Sequence, residues 1–188
     1  MVLVGADPRS FQALVRILAA GGVAIAPGDT MYGLIGIAPD AEARLRSVKG
    51  RGEEKPFLRL LADPSWIERI SDMPIPSRLA RYWPGPLTLV FPARDGGTAA
   101  LRVPDHRFLQ ELLRALDRPL YSTSVNRAGT QPLRTMEEIR REMERDVDAI
   151  FDDGDQPPGA PSTLLDITGR PFVVLRQGAV RLSPDDLA

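Results

Sequence analysis

Lys49, Arg51 and Lys55 lie within seven consecutive residues, and these two lysines are the only ones in a chain that carries 22 arginines. Lysine is a compact point charge on a flexible stem, whereas arginine is a planar fork. Cations that a loop turns toward one point can clamp a phosphate or a carboxylate. Glu53 and Glu54 interrupt the run, so a solvated loop with local ion pairs fits the same residues. A second group closes the segment Leu120–Asn126, where an apolar start runs into Ser122, Thr123, Ser124 and Asn126. In open α/β sheets, ligands sit beyond the carboxyl ends of strands, and hydroxyl and amide groups placed there bind oxygen atoms. Side-chain-capped turns use the same residue types. Ser162 and Thr163 form another hydroxyl pair after Pro161. Arg102 and Arg176 lie in the apolar contexts Leu-Arg-Val and Leu-Arg-Gln. A guanidinium there is costly unless it meets an anionic ligand or a partner carboxylate. Together these groups describe a pocket for a molecule carrying a carboxylate and phosphates.

Other chemistries are excluded or left without support. The chain has no cysteine and one histidine, His106, so thiolate nucleophiles, zinc fingers and multi-histidine metal centres are ruled out. The Walker, dinucleotide and nucleophile-elbow patterns are absent, so a nucleotide would need another device. Asp152, Asp153 and Asp155 lack the spacing of a calcium loop and read as a solvated turn. His106 reads as the start of a helix. A net charge of -1 and a pI near 5.9 give no dominant electrostatic footprint for nucleic acid. No apolar run approaches the ~20 residues of a membrane span, and no signal peptide is visible, so the expected compartment is the cytoplasm.

The elements that must position these groups follow from periodicity. Phe11, Leu14, Val15, Ile17 and Leu18 recur at helical spacing between Pro8 and Gly21. Val23–Ala26 reads as a buried strand, Gly28–Thr30 as a turn and Tyr32–Ile37 as a second strand. Asp40 is placed as the N-cap of a helix reaching Val48, and Lys49–Pro56 as a charged loop. Strands are expected at 57–61, 87–91, 101–103, 120–124, 149–151, 164–167 and 172–175. Helices are expected after Asp63-Pro64 and at 77–82, 108–116 and 135–146. The last begins with a Thr135-x-x-Glu138 capping box. Helices alternate with strands early and strands cluster late. The expected fold is therefore α/β, an open twisted mixed sheet with helices on its faces, in one domain over 1–188.

Seven collinear blocks resemble the YrdC-like family. They are Pro27-Gly28-Asp29-Thr30-Met31-Tyr32-Gly33-Leu34, Lys49-Gly50-Arg51, Trp83-Pro84-Gly85-Pro86-Leu87-Thr88 and Arg102-Val103-Pro104, followed by Ser122–Gly129, Pro161-Ser162-Thr163 with Asp166, and Leu175-Arg176-Gln177-Gly178. The resemblance implies a fold with a concave basic cavity, in a short form lacking the C-terminal domain of longer relatives. It also implies threonylcarbamoyl-AMP synthesis from L-threonine, bicarbonate and ATP, with pyrophosphate released. A tRNA-modifying threonylcarbamoyl transferase complex would act downstream, with tRNA as a further contact. By position, Thr30, Arg102, Ser122 and Ser162 would hold threonine. Lys49, Arg51, Lys55, Ser124, Asn126, Pro132 and Arg176 would hold the nucleotide, with Lys49 and Arg51 catalytic. Mg²⁺ would arrive through the nucleotide, without protein side-chain ligands.

The chain departs from the pattern at Gly28, Gly52, Val125 and Ala128, and Val125 is expected to add methyl groups beside the nucleotide. Two other readings are a YciO-like paralogue with another substrate and an RNA-binding module without synthase activity. Carbamoyl-adenylate chemistry of the hydrogenase-maturation HypF kind would require a much longer chain with zinc motifs.

Overall fold

A computed structural model describes residues 1–50, 52, 56–157 and 159–188. Arg51 and Lys55 lie outside the described residues.

The strands are β1 (Val2–Val4), β2 (Ala24–Ala26), β3 (Gly33–Ile37), β4 (Leu58–Leu60), β5 (Leu87–Pro92), β6 (Thr98–Arg102), β7 (Leu120–Ser124), β8 (Ala149–Asp152), β9 (Thr163–Asp166) and β10 (Val173–Arg176). They form one ten-stranded sheet in the order β1-β8-β2-β3-β7-β4-β6-β5-β9-β10. The sheet is mixed: β1–β8, β2–β8, β4–β6 and β5–β9 are parallel, while β2–β3, β3–β7, β4–β7, β5–β6 and β9–β10 are antiparallel. The α-helices are α1 (Pro8–Ala19), α2 (Glu42–Lys49), α3 (Ser77–Ala80), α4 (Arg107–Leu116), α5 (Met136–Met143) and α6 (Pro184–Leu187). The element after Asp63-Pro64 is a 3-10 helix, Pro64–Arg69.

Strand alternation divides the core. Val23, Ile25, Leu34, Tyr121 and Ile150 pack with Leu45 and Val48 of α2 and Ile139 and Met143 of α5. Ala24, Ala26 and Ile35 face the other way, into the core that holds Leu14 and Leu18 of α1 and Leu109, Leu112 and Leu113 of α4. Helices thus cover both faces of the sheet.

Local chemistry explains several boundaries. Asp7 caps α1 by accepting from the Arg9 backbone N–H at 2.9 Å. The α5 capping box is present: Glu138 N–H donates to Thr135 Oγ1 at 3.2 Å and Thr135 N–H to Glu138 Oε2 at 3.1 Å. Asp40 does not cap α2. Its carboxylate is held by Arg118 at 2.8 and 3.0 Å, and the N-cap is Ala41, without a side-chain bond. Lys49 belongs to α2 rather than to a loop, because the helix runs on to Gly50, whose φ of 63° supplies the left-handed C-cap. Two elements were not foreseen. β1 pairs in parallel with β8, and α6 closes the described chain.

Candidate functional site

Several strands and the turn after β2 bring polar residues to one place. β7 delivers Ser122 and Ser124, two residues apart and therefore on one side of the strand. They lie opposite Ile35 and Gly33 of β3. A Cβ at Gly33 would come 3.0 Å from the Ser122 hydroxyl, so the bare backbone there makes room for it. β6 contributes Arg102, and the end of β10 contributes Arg176. Ser162 stands just before β9 and Thr88 lies in β5 beside it. The turn after β2 adds Asp29 and Thr30. In this turn a Cβ at Gly28 would meet the Met31 carbonyl at 2.8 Å, which gives the glycine at this position a local reason.

These residues line a cavity of about 480 Å³. Its described wall contains Thr30, Arg102, Ser122, Ser124, Pro132, Ser162 and Arg176, all named from sequence. It also contains Asp29, Thr88, Gln131 and Arg134, to which no role was assigned. Three guanidiniums therefore face one carboxylate along the described wall. Asp29 and Thr88 stood inside the motif blocks that pointed to the family, and that was the available signal for both.

The two cation groups behave differently. Lys49 is 5% exposed and donates to the Ser124 carbonyl at 2.5 Å, the Ser124 hydroxyl at 3.1 Å and Asn126 Oδ1 at 2.5 Å. Asn126 also accepts from the Ser124 hydroxyl at 2.7 Å, and its amide donates to the carbonyls of Arg127 and Thr130 at 2.9 and 2.6 Å. Both lone-pair sites of the amide oxygen and both amide protons are engaged. Lys49 and Asn126 thus stand behind Ser124 rather than in the described wall. They position the strand end. Val125, expected beside the nucleotide, is fully buried in the core of α2 and α5, because it alternates with Ser124 in direction.

Arg102 is ion-paired with Asp29, and the two side chains are 6% and 8% exposed. Asp29 also accepts from the Asp105 backbone N–H at 3.3 Å. The partner carboxylate that an arginine in an apolar strand requires is therefore present within the chain. Burial pushes the Arg102 pKa below its ordinary value; Asp29 counteracts this, and the charge of Arg176 adds to it. Arg102 Nε is buried without a hydrogen-bond partner among the described residues. Arg176 donates from Nη2 to the Ser162 carbonyl at 2.9 Å and hydroxyl at 3.2 Å, and from Nε to the same carbonyl at 3.2 Å.

Behind Thr30, Tyr32 fixes the loop that follows β8. Its hydroxyl donates to the Gly154 carbonyl at 2.7 Å and accepts from Asp153 N–H at 3.0 Å. Burial raises this phenol to about 12. Asp155 accepts from the Met136 backbone N–H at 2.7 Å, so it anchors the start of α5. His106 occupies the N-cap of α4 without a side-chain cap bond. Among the described residues there is no group of three or more His, Cys, Asp or Glu side chains able to hold a metal. No helix among them is long and apolar enough to cross a membrane.

A mixed sheet with this wall, over nearly the whole chain, defines the class. Residues 16–178 match the Sua5/YciO/YrdC family, described as "Telomere recombination", and the chain belongs to it. It is 32% identical to the threonylcarbamoyl-AMP synthase of Coxiella burnetii over 86% of this chain and 95% of that one. A crystal structure of Pyrococcus abyssi Sua5 complexed with L-threonine superposes with a TM-score of 0.86 at 26% identity, covering 95% of this chain and 57% of that one. Escherichia coli YciO superposes with a TM-score of 0.83 at 26% identity, covering 98% and 97% of the two chains. The chain spans 58% and 54% of the threonylcarbamoyl-AMP synthases of P. abyssi and Bacillus subtilis, respectively.

Proposed function

We propose that this protein makes threonylcarbamoyl-AMP from L-threonine, bicarbonate and ATP, releasing pyrophosphate. The observation that supports this most is the gathering of Thr30, Arg102, Ser122, Ser124, Ser162 and Arg176 into one cavity wall, in a chain whose relatives carry that activity in their names. In this reading Arg102 and Ser162 receive the threonine carboxylate, and Arg176, which the resemblance gives to the nucleotide, joins them because its bonds run to Ser162, while Thr30 and Ser122 orient the remainder of the amino acid. The amine nitrogen bonds to the bicarbonate carbon, with loss of water, giving a carbamate. A carbamate oxygen then attacks the α-phosphorus of ATP, and the bond from that phosphorus to the bridging oxygen breaks to release pyrophosphate.

No protein nucleophile is required; the contribution of the residues is orientation and stabilisation of developing negative charge. Lys49, through Ser124 and Asn126, keeps the end of β7 in place beneath the nucleotide. Arg51 and Lys55 are proposed to supply charge to the triphosphate, and Mg²⁺ to enter as part of the nucleotide substrate. We place the reaction in the cytoplasm, with residues 1–188 as one catalytic unit. A threonylcarbamoyl transferase complex would use the adenylate on tRNA.

The end-to-end match to E. coli YciO favours a second reading, a paralogue acting on another substrate. The deciding experiment is incubation with ATP, Mg²⁺, bicarbonate and L-threonine, with mass detection of the adenylate and a parallel pyrophosphate assay. Product that requires both threonine and bicarbonate is expected. Folded protein that yields none beside an active relative would shift the assignment to the paralogue.

A further inference from the structure

The described wall of the cavity carries three guanidiniums, those of Arg102, Arg134 and Arg176, and one carboxylate, that of Asp29. An α-amino acid brings an ammonium group as well as a carboxylate. Its carboxylate has a choice of cations. Its ammonium group has no such choice, because three guanidiniums repel it and a charge taken out of water must be paired or hydrogen-bonded. The hydroxyls of Thr30, Ser122 and Ser162 can accept from it, but they are neutral. Within the described wall, Asp29 alone offers the opposite charge.

Asp29 also has capacity left. A carboxylate offers about four lone-pair sites on its two oxygens. Among the described residues, Arg102 Nη2 donates to Oδ1 and the Asp105 backbone N–H donates to Oδ2 at 3.3 Å. Each oxygen thus keeps acceptor capacity, while β6 and the loop before α4 hold the group in place. A counter-ion needed only by Arg102 could stand behind it in the core. Asp29 stands in the wall itself, next to Thr30. The acidic residues after β8 show the contrast. Asp152 is paired with Arg140, Asp155 accepts from the Met136 backbone N–H at 2.7 Å, and neither lies in the described wall.

The pair with Arg102 places opposite charges on touching side chains. The head group of an amino acid does the same, with both charged groups borne by one carbon. Laid against the pair, the ligand carboxylate meets Arg102 and the ammonium meets Asp29, each as a charge-assisted hydrogen bond. We propose that Asp29 receives the α-ammonium of the bound amino acid, and so selects amino acids over carboxylates that lack this group. This rests on the synthase reading for the identity of the amino acid.

The test is titration calorimetry of L-threonine and of its hydroxy-acid analogue, in which a hydroxyl replaces the ammonium, on wild type and Asp29→Asn. ATP affinity and melting temperature are measured for both proteins. Asparagine keeps the shape and an acceptor for Arg102 but removes the charge. Wild type is expected to bind L-threonine about tenfold or more tightly than the analogue, the worth of a hydrogen bond to a charged group. In Asp29→Asn this preference should shrink to about threefold or less, the worth of a weak neutral bond. The change should come from weaker threonine binding, with ATP affinity kept. A purely structural Asp29 would weaken both ligands together and leave their ratio intact. An unchanged ratio in Asp29→Asn, or equal losses for threonine, analogue and ATP, would overturn the assignment. If Asp29→Asn does not fold, Asp29→Ser takes its place and the same ratio is read. A wild-type protein that binds threonine and analogue equally would overturn this assignment alone. One that binds neither would overturn the synthase reading and this assignment with it.

Discussion

The Lys49 end and the Arg102–Arg176 end of the site both place cations beside hydroxyl groups, yet they differ in what is left over. At the Lys49 end, among the described residues, the Ser124 carbonyl and hydroxyl and Asn126 Oδ1 meet the ammonium group, and Asn126 is engaged on all sides. At the other end Arg102 keeps a buried Nε without a partner among the described residues, and the Ser162 hydroxyl lies on the cavity wall. A saturated cluster holds the backbone in place, whereas an unsaturated one awaits a ligand. Residue type does not separate the two roles; hydrogen-bond accounting does. The difference also predicts how each end fails. Damage to the saturated end should appear first in stability, and damage to the open end in ligand affinity, except at Arg102, whose buried pair with Asp29 makes it part of the frame as well.

The largest effect is expected where the open end contains a buried charge pair. Arg102→Met leaves the Asp29 carboxylate, 8% exposed, without its counter-charge. Stability should fall by about 3–4 kcal/mol, the cost of stranding one member of a buried pair. Adding Asp29→Asn should return most of that loss, because the stranded charge is removed, but it should not return threonine binding. Urea unfolding of the two single variants and the double variant checks this. A double variant that regains binding would show that Arg102 serves only to neutralise Asp29.

Lys49→Met tests the saturated end. It strips the donor from Asn126 Oδ1 and from the carbonyl and hydroxyl of Ser124 in a site that is 5% exposed at Lys49. A loss of about 2–3 kcal/mol is expected from the urea midpoint, since buried acceptors lose a charged donor. Lower ATP affinity should follow from a displaced strand end. A stability loss below about 0.5 kcal/mol, typical of surface substitutions, would move Lys49 to the ligand-facing side of the comparison.

Local signals in the sequence carried the elements further than they carried the site. The Thr135–Glu138 box is confined to four residues, and it forms as read. The mixed sheet follows from the order of helical and extended periodicities, which is also local. The fate of Lys49 depends on residues 75 and 77 positions away, and that of Arg102 on one 73 positions away. Nothing in the immediate context of Lys49 shows that its ammonium group turns inward. Asp40 was misplaced for the same reason, since Arg118, 78 residues on, claims the carboxylate before the helix can. Val125 was assigned to the cavity from its motif neighbours, although strand alternation next to Ser124 already argued for the opposite side. β1 is a three-residue strand at the start of the described chain, and its pairing with β8 is again long-range.

The smallest change in stability is expected at Arg176. It lies in β10 at the edge of the sheet, is exposed, and has no ion-pair partner among the described residues. Its bonds go to the carbonyl and hydroxyl of Ser162, on the cavity wall. Water from the cavity can replace them when the guanidinium is removed. Arg176→Gln should therefore cost no more than about 0.5 kcal/mol of stability, the range of surface changes. Threonine affinity should nevertheless fall about tenfold or more, the worth of a hydrogen bond to a charged group. The ratio of the two effects is the informative quantity. Lys49→Met should give a large stability loss with an affinity loss that follows from it, and Arg176→Gln an affinity loss with almost none in stability. If Arg176→Gln instead unfolds the protein as readily as Lys49→Met, the open end is as structural as the closed one, and hydrogen-bond saturation does not distinguish frame from binding surface in this site.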